Sequence, residues 1–171
     1  MNDLKKAFEK QAKTCLATSL LYHDALVILA DDKNTIDLLE EVLKIKINLG
    51  YTEIILNLMS YLHYSVLKKE SYNLSKFYKT SGGHYSSENY QELKNIITDF
   101  IQAKKDKIYE WLINNKLQTN EVSRVSVILP TLMSLDLGLI NLIELGCSSG
   151  LLLLMNYFTI DYTDSYSGEL I

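Results

Sequence analysis

The chain has 171 residues, 47% of them hydrophobic and 22% charged, a mixture that supports a folded core and argues against disorder. Its formal net charge of −4 offers no basic field to nucleic acid, and no Lys/Arg stripe interleaves with stacking aromatics. The two cysteines, Cys15 and Cys147, are too few and too far apart for a disulfide scaffold or a structural zinc site, so no metal is expected.

The first two-thirds reads as helices. Asp3 and Glu9 stand in a polar, periodic opening stretch that does not resemble a signal peptide. Leu4, Ala7, Phe8, Gln11 and Cys15 follow a 3.6-residue period, with Asn2 or Asp3 as cap. Ser19 is placed to cap a second helix over 20–30, and the run Asp31-Asp32-Lys33-Asn34 reads as a turn. A third helix carries Ile36, Leu39, Val42, Leu43 and Ile47 on one face, and Gly50 is its expected C-cap. Thr52 opens a fourth, with Ile55, Leu58, Met59, Leu62 and Val66 as its stripe.

A looser stretch over 69–87 contains Gly82-Gly83-His84, a loop signal. Ser87 is the expected cap of a long helical segment to Asn115, with a break near Lys104-Lys105-Asp106. Thr119 or Asn120 then caps a helix running to about Leu135, in which Pro130 removes one backbone donor and predicts a kink.

The pattern changes after that. The run 139–145 is short, apolar and β-compatible; Gly146-Cys147-Ser148-Ser149-Gly150 breaks it; 151–158 continues as helix; and 159–163 alternates like a short strand. The apolar region 135–155 is interrupted by Asp136, Glu144, Gly146 and Gly150, which a lipid-spanning helix would not carry at its centre. No membrane partner is expected, and the reading is a soluble, cytoplasmic protein.

The stretch Leu142-Ile143-Glu144-Leu145-Gly146-Cys147-Ser148-Ser149-Gly150 carries the chemistry. A strand ending in an acid, followed by a turn with glycines at both ends and then a helix, lets a ligand approach the backbone closely. In nucleotide-type folds the ligand sits at this crevice. The segment resembles the first motif of class I S-adenosylmethionine-dependent methyltransferases: an acid, one spacer, then three glycines at alternate positions. Glu144, Gly146 and Gly150 match, and Ser148 stands where the middle glycine is usual. Taken alone, a strand, glycine turn and helix is more often a plain structural connection than a ligand site.

Together with Gln118-Thr119-Asn120-Glu121-Val122-Ser123-Arg124, Tyr61-Leu62-His63-Tyr64 and Leu20-Leu21-Tyr22, the motif resembles a bacterial family of unknown function, domain-of-unknown-function family 2332. In that family the serine in the loop is itself usual, and members look like a helical region followed by a methyltransferase-like α/β domain. Members are about twice this long, so the resemblance is to their N-terminal half. The family usually has an Asn two residues past the last loop glycine; here that position is Leu152.

The resemblance implies a mainly α chain. A helical bundle over 1–136 is followed at 137–171 by the first βα unit of a Rossmann-type, class I methyltransferase-like fold, truncated before completion. It implies S-adenosylmethionine as the cofactor of the intact relative, contacted through Glu144, Gly146, Ser148 and Gly150. Gln118, Asn120, Glu121 and Arg124 either line a pocket or form a capped helix with a local ion pair. His63 reads as a core-edge residue, His23 as surface, His84 as a loop residue, and Cys147 as a loop spacer. The tyrosines at 61, 64, 72, 78, 85 and 90 read as the margin of a helical core. Two functions follow: a methyltransferase-like fragment that is inactive as this chain and has an unknown acceptor, or a non-catalytic helical protein that self-associates or binds a partner through its apolar C-terminal segment.

Overall fold

A computed structural model describes residues 3–117 and 121–170. The chain divides into two compact units, Met1–Leu117 and Gln118–Ile171. It is mainly helical.

In the first unit, α1 (Asp3–Cys15) buries Leu4, Phe8 and Ala12, spaced four apart on one face, and packs chiefly on α2 (Leu20–Asp31). The Ser19 hydroxyl accepts the Tyr22 N–H at 3.3 Å and so starts α2 where its sequence predicts. Six residues of α2 are buried, and it also packs against α3 (Lys33–Ile45) and α6 (Tyr90–Ala103). The expected four-residue turn between α2 and α3 shrinks to Asp32, whose carboxylate accepts the Thr35 N–H at 2.9 Å.

The third helix ends at Ile45 rather than near Gly50. The Lys46 ammonium donates to the Leu112 carbonyl at 2.9 Å, at the end of α7 (Lys105–Asn114), and this tether holds the chain in a turn. Ile47, expected on the apolar face, is consequently 85% exposed. Gly50 becomes the N-cap of α4 (Tyr51–Leu67) at φ −72°, instead of a left-handed C-cap. Ile54, Ile55, Leu58, Leu62 and Val66 of α4 are buried in the shared core.

The looser stretch holds a single turn, α5 (Tyr72–Ser75), a 3-10 turn over Lys79–Ser81, and Gly82 in the left-handed region at φ 79°. Ser86, one residue before the expected cap, forms reciprocal capping bonds with Asn89 around the 3-10 turn Ser87–Asn89, which leads into α6. The predicted break falls at Lys104, between α6 and α7.

In the second unit, a 3-10 turn Val122–Arg124 precedes α8 (Val125–Ser134). The predicted caps Thr119 and Asn120 lie outside the described residues. Pro130 lies inside α8, so the Ser126 carbonyl four residues back lacks its i+4 N–H donor; the Tyr162 hydroxyl donates to it at 2.5 Å. A small core gathers Val125, Leu152 and Met155, with Ile128, Leu129, Leu132, Phe158 and Ile160 against it.

The expected βα unit does not form. Residues 139–145 make no strand, and Leu139, Ile143 and Leu145 are 100%, 83% and 93% exposed. The expected helix over 151–158 is a 3-10 stretch, Leu151–Tyr157, and 159–163 contributes only Thr163 to an isolated antiparallel bridge with Leu170. The reason is backbone pairing. A strand of a parallel sheet is stabilised by ladder bonds to neighbours reached through crossovers and by helices on both faces, and the described residues supply neither. No helix among the described residues is long and apolar enough to cross a membrane.

Candidate functional site

The strand-to-helix corner expected at 144–150 does not form, but a glycine turn stands at 146–150. Gly146, Ser148 and Gly150 all adopt left-handed backbone, at φ 71°, 51° and 71°. Glycine takes this conformation freely, whereas a side chain at Ser148 holds it at a cost. The Gly150 N–H closes the turn on the Cys147 carbonyl at 2.7 Å, and Gly150 then caps the 3-10 stretch. A Cβ added at Gly146 or Gly150 would meet no atom within 4 Å, so the loop is open rather than packed shut. Glu144 is half-buried, and its Oε2 is buried without a hydrogen-bond partner. An orphaned carboxylate oxygen beside an open loop has free capacity to accept from a ligand hydroxyl. The Cys147 thiol makes a long contact with the Ser148 carbonyl at 3.9 Å.

Of the second predicted group, Gln118 and Asn120 lie outside the described residues. Glu121 and Arg124 are exposed. The Glu121 carboxylate accepts from the Ser123 hydroxyl rather than pairing with Arg124. A shallow cavity of about 290 Å3 in this unit is lined by Val122, Ser123, Val125, Ser126 and residues 158–161, which include none of the predicted site residues.

A second constellation lies in the first unit. His63, in the C-terminal part of α4, is held from both ring nitrogens. Nδ1 lies 3.2 Å from the Tyr22 hydroxyl on α2, and Nε2 lies 2.8 Å from the Thr80 hydroxyl in the 3-10 turn. Each hydroxyl can donate or accept, so either neutral tautomer is satisfied. Burial lowers the His63 pKa below its ordinary value, which favours that neutral form. The ring lies against Tyr78, with centroids 5.0 Å apart, and Tyr78 meets Tyr22 edge-on at 6.2 Å. Burial pushes the Tyr22 and Tyr78 hydroxyls above the usual tyrosine range.

Nearby, the Tyr85 hydroxyl donates to the buried Asp24 carboxylate at 2.6 Å, whose other oxygen lies 2.7 Å from His23 Nδ1. Burial, and then this bond, raise the Tyr85 pKa. His23, expected at the surface, is only 25% exposed because Asp24 holds it against the helix. Tyr22, His63, Tyr78 and Tyr85 border a cavity of about 300 Å3 between the start of α2, His63 and the loop over 77–85.

Sequence reading did not assemble this cluster. Tyr22 and His63 are 41 positions apart, and no spacing rule joins them. The available signal was that both lie in segments that carry the family resemblance, Leu20-Leu21-Tyr22 and Tyr61-Leu62-His63-Tyr64. Among the described residues, no group of three or more His, Cys, Asp or Glu side chains is arranged to hold a metal ion.

No curated protein and no solved structure matches the chain. One family model does, over residues 5–170, and its description is "Uncharacterized protein conserved in bacteria (DUF2332)". A match across nearly the whole chain means that the protein belongs to this bacterial family.

Proposed function

We propose that the 144–150 segment is the cofactor-contacting loop of an S-adenosylmethionine-dependent, methyltransferase-like protein. The observation that carries this reading is the alternation of left-handed residues at 146, 148 and 150, the three positions where the motif calls for glycine. That backbone turns amides outward and lets a nucleoside approach without meeting side chains. Glu144, with one orphaned oxygen, would accept from the cofactor, and Ser148 would bring a Cβ where the motif lets the cofactor pack closely on glycine. The methyl acceptor is unassigned. A complete Rossmann-type site needs neighbouring strands that the described residues do not form, so this chain would bind the cofactor weakly and transfer no methyl group.

Calorimetric titration of the chain with S-adenosylmethionine tests the reading. Binding in the millimolar range, lost in Gly146→Val, is expected. Silence in the unsubstituted chain would remove the proposal.

One observation favours association instead. Leu139, Ile143 and Leu145 present a nearly uncovered apolar run in the second unit. Under that reading the chain elutes as a dimer or larger species, and Leu139→Lys with Ile143→Lys returns it to a monomer.

A further inference from the structure

The cavity in the first unit has the makings of a ligand site independent of the 144–150 loop. Its volume of about 300 Å3 lies at the small end of pockets that hold small molecules, large enough for a single ring and too small for a dinucleotide. Tyr22, His63, Phe77, Tyr78 and Tyr85 line it with aromatic surface. These rings are fixed rather than free to collapse inward. His63 is tied at both nitrogens, Tyr85 is tied to Asp24, and Phe77 and Tyr85 meet edge-on at 5.8 Å.

The loop over 76–84 is equally constrained. The His84 N–H donates to the Lys76 carbonyl at 2.8 Å and the Gly83 N–H to the Tyr78 carbonyl at 2.9 Å. A Cβ at Gly83 would sit 2.3 Å from the Lys76 carbonyl oxygen, so only glycine permits this closure.

Charge distinguishes the two sides of the cavity. Lys79, Thr80 and His84 are exposed, whereas Phe77 and Tyr78 are buried. No Asp or Glu lines the cavity. The side chains of Lys79 and His84 make no hydrogen bond or ion pair with any described residue. Asp24, which holds Tyr85, is not among the lining residues. A preformed aromatic wall beside an unpaired cation and an unpaired imidazole is complementary to a flat ring that carries a negative group.

We propose that this cavity binds a small planar anion, its ring lying against Tyr22 and Tyr78 and its acid group reaching Lys79 and His84. A carboxylate and a phosphate monoester share the required chemistry.

The test is a titration of the full chain, with the ring signals of its three histidines followed by NMR. Benzoate and phenyl phosphate are the anionic probes; benzylamine and acetate are the controls for charge and for the ring. Saturable shifts of His63 and His84, with Kd of about 1 mM or tighter for at least one anionic aromatic, are expected. The tighter of the two anions identifies the acid group. Lys79→Ala and His84→Ala, both at exposed positions, should each weaken binding about tenfold, equivalent to about 1.4 kcal/mol, and Lys79→Arg should retain it. The proposal fails if neither anion saturates His63 and His84 by about 10 mM. It also fails if benzylamine or acetate binds as well, or if the Lys79→Ala/His84→Ala double variant binds undiminished.

Discussion

The Tyr162 hydroxyl donates at 2.5 Å to the Ser126 carbonyl, the oxygen in α8 that Pro130 leaves without its i+4 donor. A side chain 36 positions away thus repairs the defect that proline introduces. Tyr162→Phe should lower the stability of the second unit by about 1 kcal/mol, read as a shift in its urea midpoint. Pro130→Ala restores the missing N–H, so Tyr162→Phe should cost clearly less in that background. Equal costs in the two backgrounds would show that the bond does not act as the replacement donor.

Asn57, buried in α4, is the hub of a second polar contact. Its Oδ1 accepts from the Trp111 indole at 2.9 Å, and its Nδ2 donates to the Asn115 carbonyl at 3.1 Å. Asn57→Ala strips partners from both groups at once and should destabilise the first unit by about 1–3 kcal/mol. Trp111 is the only tryptophan, so its fluorescence reports the unfolding of this unit directly.

Adjacent glycines in the loop before α6 differ in what they forbid. Gly82 has φ 79° with open space around it, whereas Gly83 faces the Lys76 carbonyl at 2.3 Å. Gly82→Ala should cost about 1–2 kcal/mol through left-handed strain. Gly83→Ala must displace backbone, and it should cost more and also weaken the His63–Thr80 bond. Thermal unfolding of both variants checks the order; a larger loss in Gly82→Ala would contradict it.

Acid should loosen the first unit through His63. Burial holds its folded pKa below the unfolded value of 6.5. Between those two values the unfolded chain binds more protons than the folded one, so stability rises with pH there. Stability is therefore lost as pH falls below 6.5 and levels off once pH is below the folded value. Asp164, whose pKa is lowered by the Ser167 and Tyr166 N–H groups, contributes stability that is lost only well below this window. Urea midpoints followed through Trp111 from about pH 7.5 to 5 should decline, and His63→Gln should flatten the profile. An unchanged slope in that variant would assign the decline to other groups.

In the 144–150 segment, Ser148 holds φ 51° against the preference of any residue with a Cβ. Ser148→Gly removes that strain, at the cost of greater freedom in the unfolded chain, so stability should change by less than about 1 kcal/mol. Affinity for S-adenosylmethionine should rise, since the added hydrogen-for-hydroxymethyl space lies where the motif places its middle glycine. A fall in affinity would mean that the hydroxyl itself contacts the cofactor.

The helices of the first unit were largely legible in local patterns. Leu4-Phe8-Ala12 spacing, the Ser19 cap and the break at Lys104 are each set by residues within a turn or two of one another. The left-handed turn at Gly146 and Gly150 was legible for the same reason, because conformational freedom at glycine is a property of the residue. The strand at 139–145 was not decided by its own sequence: apolar, β-compatible residues become a strand only when another strand satisfies their backbone, and none among the described residues does. Nor did the sequence alone determine the Tyr22–His63–Thr80 cluster or the rescue of Ser126 by Tyr162. Those contacts join positions 41, 17 and 36 residues apart, and such distances are closed only by the packing of helices and loops in three dimensions.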